Sequence, residues 1–268
     1  MGILAAPCDP GDSGFCAPGV SAFYPKPLFE FTVAGIDFQV TRIMVLSWIV
    51  TAAILFVLVA AVRNPQLVPG RLQWLGESAY SFVRDGIARE VIGREGLRFA
   101  PYLATLFLFI LGNNVLGIVP LAQIAPTSKI ALPAVLAIIS WIIFNWVGIR
   151  RHGFRKYFKS ILFMPGVPKP MYILVTPIEV FSTLLVRPFT LAVRLFANMF
   201  AGHLLLLVFT LGAAYLITVG NLSAPFGVVS GLMAIVMTFF ELLVEVLQAY
   251  VFTILTSTYI AGALEEAH

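Results

Sequence analysis

The residues best suited to chemistry in this sequence are ionisable groups set in two long apolar stretches, 172–219 and 226–264. Arg194 lies in the middle of the first stretch, and a guanidinium keeps its proton in proteins. Holding that charge at membrane depth costs roughly 3 kcal/mol on insertion scales. Such a residue needs a partner carboxylate, a water-filled cavity, or both. Arg194 therefore makes this chain a candidate for moving ions across a membrane.

Helical spacing separates the polar residues of these stretches into groups. The full set is Glu179, Arg187, Arg194, Asn198, His203, Glu241, Glu245 and Gln248. Positions 187, 194 and 198 share one helix face, and positions 241, 245 and 248 share another. His203 lies about half a turn round the helix from Arg194 and roughly 13 Å further along it. We therefore expect an arginine at one level of the membrane and a histidine–glutamate cluster at another.

A proton path is our interpretation of these groups, because titratable residues arranged along a membrane helix are what such a path requires. Histidine adds a group that changes its charge near neutral pH. One alternative is purely structural, with the polar side chains pairing to hold two helices together. Another is a secondary transporter that binds a small substrate at the membrane midplane, although the sequence shows neither an inverted repeat nor a pair of broken helices.

The composition indicates what kind of elements must position these residues. Of the 268 residues, 60% are hydrophobic and 11% are charged, whereas soluble domains carry about 25% charged residues. The predicted fold class is therefore an all-α polytopic membrane protein. A phosphate-binding loop of the GxxxxGK[ST] type is absent from the sequence, so nucleotide chemistry is expected on another chain. The basic residues cluster in loops beside apolar runs, which argues against a nucleic-acid partner.

Apolar runs and breakers divide the chain into about five membrane crossings plus an amphipathic surface helix. The predicted segments are an external N-terminal extension at 1–42, a first transmembrane helix at 43–62, a cytoplasmic amphipathic helix region at 72–99, a transmembrane hairpin at 100–149, a basic cytoplasmic loop at 150–170, two long membrane-embedded helices at 171–264 and a cytoplasmic tail at 265–268. The stretch 172–219 is more than twice as long as a bilayer core requires. It is either a hairpin of two helices or one long tilted helix.

The distribution of Lys and Arg predicts the orientation. The loops 63–99 and 150–170 hold six of these residues each, whereas the opposite side holds three. The N-terminus is therefore expected outside the cell and the C-terminus in the cytoplasm. Cys8 and Cys16 lie in the external segment, where they either form a disulfide or remain two unpaired thiols. A metal site is not expected there, because the segment contains no histidine.

Two signatures resemble subunit a of the F-type ATP synthase. They are RLFANMFAGH at 194–203 and LQAYVF at 247–252, and GNNVLGIVP at 112–120 is similar to a third family segment. The similarity is strong over 165–264 and mainly topological before it. It implies a non-catalytic, proton-translocating subunit of the bacterial plasma membrane that needs no cofactor and no metal. The implied partners are the c-ring, the peripheral-stalk subunit b, protons and membrane lipids, with no nucleic acid.

The same resemblance implies roles for individual residues. Arg194 matches the arginine that faces the carboxylates of a rotating c-ring and separates two aqueous half-channels. His203 and Glu241 match the channel pair of the family, in the reverse of the order that many bacterial members have. Asn198 and Gln248 match polar positions near the arginine, where they would bond to Arg194 or to channel water.

The resemblance leaves alternatives open at three charged residues. Glu179 has one residue more between itself and Pro188 than the family pattern, which would shift its helix face by about 100°. It either contributes to the cytoplasmic half-channel or stands outside it. Glu245 either lines the external channel or makes a structural hydrogen bond. Arg187 is expected to reach the cytoplasmic interface or to pair with Glu179. The sequence does not fix the coupling ion, but the lack of an oxygen cage favours H⁺ over Na⁺.

Overall fold

The computed structural model describes residues 27, 29–33, 36–63, 69–119, 124–157, 172–219 and 223–265. The chain divides into two compact units. The first comprises Met1–Ile54, Ile110–Lys129 and Phe196–Gln248, and the second comprises Leu55–Phe109, Ile130–Leu195 and Ala249–His268. Cys8, Cys16 and most of the predicted basic loop at 150–170 lie outside the described residues.

Helices dominate the described chain, which confirms the predicted all-α polytopic class. The α-helices are α1 (Arg42–Arg63), α2 (Arg71–Val83), α3 (Ala100–Val115), α4 (Ala131–His152), α5 (Tyr172–Phe181), α6 (Arg187–Val219) and α7 (Ala224–Leu264). Two π-helical segments follow α2 and α5, at Arg84–Ile92 and Ser182–Val186 respectively. Short 3₁₀ helices occupy Arg94–Arg98 and Pro126–Ser128.

Among the residues that the structure describes, four helical stretches are long and apolar enough to cross a membrane. They are Arg42–Ala61, Ala131–His152, Val175–Val219 and Ala224–Leu264. The helix α3 is also apolar but has 16 residues, fewer than the roughly 20 that span a bilayer core. The first helix within the transmembrane hairpin predicted at 100–149 therefore ends at Val115. The backbone turns after Val115, where the Gly117 N–H donates to the Asn114 carbonyl at 2.8 Å.

The stretch 172–219 is helical throughout. Of the two predicted alternatives, the structure therefore contains one long helix and not a hairpin of two helices. The π-helical segment Ser182–Val186 lies directly before Pro188. A proline inside a helix lacks its N–H and crowds the carbonyl four residues earlier, and a widened turn at that place relieves the crowding. By contrast, α7 is a single helix of 41 residues, roughly 60 Å long.

The N-terminal extension contains a β-hairpin that the sequence analysis did not predict. Strand β1 (Phe29–Val33) pairs antiparallel with β2 (Ile36–Val40), from Phe29 opposite Val40 to Val33 opposite Ile36. Both strand sequences, FEFTV and IDFQV, alternate apolar and polar residues. That period of two is the sequence signal for a strand.

Polar side chains join neighbouring helices within each unit. In the first unit, the Ser47 hydroxyl on α1 donates to Asn113 Oδ1 on α3 at 2.6 Å. In the second, the hydroxyls of Tyr102 on α3 and Ser140 on α4 are 2.9 Å apart. Lipid tails are as apolar as leucine, so membrane helices associate through close packing and hydrogen bonds of this kind. The first bond thus joins α1 to α3, and the second joins α3 to α4.

Candidate ion-path site

A buried pair of His203 and Glu241 lies in the first unit. The two side chains, on α6 and α7, contact each other through Nδ1 and Oε1. Each side chain is 3% exposed. Gly202, beside the histidine, permits the close approach, since a β-carbon there would lie 3.2 Å from Glu241 Oε1. The structure thus brings together an acid and an imidazole, which are groups that can exchange a proton.

The loop before α4 determines which ring nitrogen of His203 carries the proton. The backbone N–H of Ala125 donates to His203 Nε2 at 2.9 Å. Because an amide N–H can only donate, Nε2 must be the acceptor, and the neutral ring carries its proton on Nδ1. That proton is directed at the Glu241 carboxylate. The loop therefore leaves Nδ1 as the ring nitrogen through which His203 can exchange a proton with Glu241.

Glu245 lies one turn beyond Glu241 on α7 and is fully buried. Asn114 Nδ2 donates to its backbone carbonyl at 3.2 Å, and Thr127 Oγ1 donates to Asn114 Oδ1 at 2.7 Å. Within the described part of the chain, neither carboxylate oxygen of Glu245 has a hydrogen-bond partner. Burying an unpaired carboxylate costs several kcal/mol unless it is protonated or hydrated. The described residues therefore do not supply the structural hydrogen bond considered for this side chain.

Gly117 packs the turn after α3 against this cluster. A β-carbon at this position would overlap Cε1 and Nε2 of His203 and would lie 3.1 Å from Glu245 Oε1. The turn is itself held by the bond from the Gly117 N–H to Asn114. We define the polar cluster as His203, Glu241, Glu245, Asn114 and the Ala125 N–H. At position 117, only glycine leaves room for the present geometry of this polar cluster.

Asn198 and Gln248 hydrogen-bond to each other rather than to Arg194. Asn198 Nδ2 donates to Gln248 Oε1 at 2.8 Å, which joins α6 to α7. Arg194 is exposed on α6, one turn before Asn198. Among the residues that the structure describes, no side chain forms an ion pair or a hydrogen bond with its guanidinium. The roles expected for the two amides, bonding to Arg194 or to channel water, stay predictions.

The second unit contains an ion pair between Glu179 and Arg187. Arg187 Nη2 lies 3.4 Å from Glu179 Oε1, and Thr183 Oγ1 donates to the same oxygen at 3.2 Å. The guanidinium also lies over the Tyr259 ring, 5.4 Å from its centroid, a favourable cation–π arrangement. Of the two alternatives for Arg187, pairing with Glu179 is the one observed.

Comparison with known proteins identifies the family. A sequence profile described as "ATP synthase A chain" matches residues 44–261. The chain belongs to the ATP synthase subunit a family. Similar proteins named ATP synthase subunit a occur in Parafrankia sp. (50% identical over 255 residues, covering 94% of this chain and 85% of the relative), in Frankia alni (46% over 254 residues, 94% and 87%) and in Rhodococcus erythropolis (44% over 252 residues, 93% and 90%).

Family membership and the apolar spans of the described residues make this chain a multi-pass bacterial membrane protein. It belongs to the membrane sector of an ATP synthase, a complex that contains other subunits. In the described part of the chain, no group of three or more His, Cys, Asp or Glu side chains is placed to hold a metal ion.

Sequence reasoning missed four residues that form the polar cluster or contact it. They are Asn114, Gly117, Ala125 and Thr127. A signal existed for the first two, since both lie in the family-like segment GNNVLGIVP. Ala125 acts through its backbone, so its side chain gives no indication of the contact.

Proposed function

We propose that this subunit conducts protons through two half-channels and couples their flow to the rotation of a c-ring and to ATP synthesis. The observation that carries the proposal is the exposed Arg194 on α6, without an ionic or hydrogen-bonding partner among the described side chains. A permanent cation in an apolar helix requires a negative partner. A carboxylate on a neighbouring c subunit is the partner we propose.

Arg194 acts through its fixed charge. A ring carboxylate that reaches the guanidinium releases its proton, because the ionised form makes the stronger, charge-assisted hydrogen bonds. The carboxylate must take up a proton again before it turns into lipid, where an unpaired charge is costly. The positive charge also repels protons and so prevents direct leakage between the half-channels. Each proton that crosses 100 mV supplies about 2.3 kcal/mol, so several protons are needed for each ATP.

We assign the polar cluster to the half-channel on the external side. The His203 Nδ1 proton points at Glu241, and Glu245 lies one turn away on the same face of α7. Buried titratable groups at this spacing pass protons through bridging water. We assign the hydrogen-bonded pair Asn198 and Gln248, in the same unit, to this path as well. The excess of Lys and Arg in the loops 63–99 and 150–170 supports an external N-terminus and a cytoplasmic C-terminus.

Glu179 is assigned to the cytoplasmic half-channel. It is half-buried and retains contact with solvent, and its carboxylate lies 3.4 Å from the guanidinium of Arg187. The partners of the subunit in this function are the c-ring, the peripheral-stalk subunit b, protons and membrane lipids. The transported ion is H⁺, carried without a cofactor.

The test is ATP-driven proton pumping in inverted membrane vesicles that carry Arg194→Ala or Arg194→Lys. We expect Arg194→Ala to abolish pumping while the complex assembles normally. Arg194→Lys keeps the charge but loses the planar fork that binds a carboxylate, so pumping should remain strongly reduced. Arg187→Ala is the matched control, because Arg187 has a partner within the chain. Normal pumping by Arg194→Ala would mean that the arginine is structural and that the proposal is wrong.

A further inference from the structure

A pocket lined by three arginines opens in the second unit, outside the polar cluster. Its volume is about 480 Å³, and its charged wall consists of Arg98, from the 3₁₀ helix before α3, and Arg150 and Arg151, from the last turn of α4. None of these residues takes part in the proposed ion path. The pocket therefore has no role in the function considered so far.

The charges of the pocket favour an anion. Arg151 pairs with Glu95, also in the wall, at 3.5 Å. Arg98 and Arg150 form no ion pair with any described residue. Three arginines against one glutamate leave a net charge of +2. Two planar guanidinium groups facing one cavity can bind the oxygens of a phosphate in bidentate geometry.

Part of the wall of the same pocket is apolar. Trp146, Val147 and Leu264 line it, and Trp146 is 63% exposed. Trp146 lies one helical turn before Arg150 on α4, which is one of the candidate membrane spans. Tryptophan is typical of the membrane–water interface. The apolar wall therefore lies on the membrane side of the arginines, so a phosphate and a hydrocarbon chain can be held together.

We propose that this pocket binds the phosphodiester headgroup of an anionic phospholipid, with Arg98 and Arg150 at the phosphate and the acyl chain along Trp146. A free phosphate offers the same oxygens but makes no use of the apolar wall. Basic pockets at the ends of membrane helices are suited to anionic headgroups. The bound lipid would join the end of α4 to the segment before α3.

The experiment uses the purified, delipidated ATP synthase complex in neutral detergent, titrated with fluorescent phosphatidylglycerol. The double variant Arg98→Gln/Arg150→Gln removes both phosphate ligands. The matched control is Arg89→Gln/Arg94→Gln, which removes the same charge from two exposed arginines of the neighbouring segment that do not line the pocket. A third variant, Arg98→Lys/Arg150→Lys, retains the charge and reports on folding.

We expect the glutamine double variant to bind phosphatidylglycerol about 25-fold more weakly, roughly fivefold for each arginine near the membrane surface. The control pair should change binding less than threefold. The lysine pair keeps the charge but loses the planar fork, so it should bind more tightly than the glutamine pair and more weakly than the wild type. Equal weakening by the pocket and control variants would overturn the proposal. So would phosphatidylcholine of the same chain length binding as tightly, which would indicate an apolar groove alone.

Two competition arms distinguish the sources of the phosphate. Inorganic phosphate should displace phosphatidylglycerol only at concentrations at least 100-fold higher, because it gains nothing from the Trp146 wall. Displacement at equal concentrations would mean a small-anion site and would overturn the lipid assignment. If the wild-type complex binds no phosphatidylglycerol at this site and Arg150 cross-links to another subunit, the pocket is a protein interface and the proposal is wrong.

Discussion

Replacing Gly117 with alanine tests whether the polar cluster must keep its present geometry in order to move protons. The new β-carbon would overlap Cε1 and Nε2 of His203 and would lie 3.1 Å from Glu245 Oε1. Neither neighbour can move away freely. The His203 ring is buried and is held by the Ala125 N–H on one side and by Glu241 on the other, and Glu245 is fully buried.

The size of the effect follows from this crowding. Forcing an extra methyl group into a well-packed site typically costs about 1–3 kcal/mol. Each 1.4 kcal/mol changes an equilibrium tenfold, so the present arrangement of the cluster would be populated roughly 5- to 150-fold less. The backbone of Gly117 does not have the positive φ that disfavours alanine, so the strain falls on His203. We therefore expect proton pumping to fall at least fivefold while the complex still assembles.

Pumping is measured by ATP-driven quenching of a pH-sensitive dye in inverted vesicles. Passive proton conduction through the membrane sector, stripped of its catalytic head, serves as a second measurement. The control is Gly231→Ala in the same unit, because a β-carbon there would meet only the Ala213 methyl at 3.7 Å, an ordinary contact. The reasoning is refuted if Gly117→Ala pumps normally, or if both alanine variants lose the same activity.

Two further substitutions test the chemistry of the same cluster. Glu241→Gln keeps an oxygen that faces His203 but cannot release a proton, so pumping should drop at least tenfold. The control is Glu265→Gln, at an exposed position after α7, which should leave pumping unchanged. Normal pumping by Glu241→Gln would contradict a proton-carrying role for Glu241. Ala125→Pro suits the local backbone, where φ is −71°, but removes the N–H that bonds to His203 Nε2. A net hydrogen bond contributes about 0.5–1.5 kcal/mol, so pumping should fall roughly 2- to 12-fold. Ala125→Gly keeps the N–H and should pump normally, and equal rates for the two variants would show that the bond is unimportant.

The sequence predicts the helices well because their signals are local. Apolar length alone predicts a span at 43–62, and the helix found is Arg42–Arg63. Helical periodicity also predicts that His203 lies away from Arg194, and the structure has the first buried and the second exposed. These features depend on spacing within one element, which can be read from the chain without knowledge of its partners.

The remaining contacts depend on distances between elements, which spacing does not determine. Asn198 bonds to Gln248, which lies on another helix and 50 residues away along the chain. Thr127 reaches Asn114 because a loop returns over the cluster. Ala125 contributes only a backbone N–H, which every residue except proline possesses. No residue type in the loop could therefore have predicted the contact.

The widened turn at Ser182–Val186 determines which side chains share a helix face. Glu179 and Arg187 are eight residues apart and would lie about 80° apart around a regular α-helix, yet they form an ion pair. A π-helical turn takes in one additional residue, so the two positions lie as residues seven apart would, about 20° apart around the helix. The turn thus brings a carboxylate and a guanidinium onto one face of a helix that, if regular, would direct them apart.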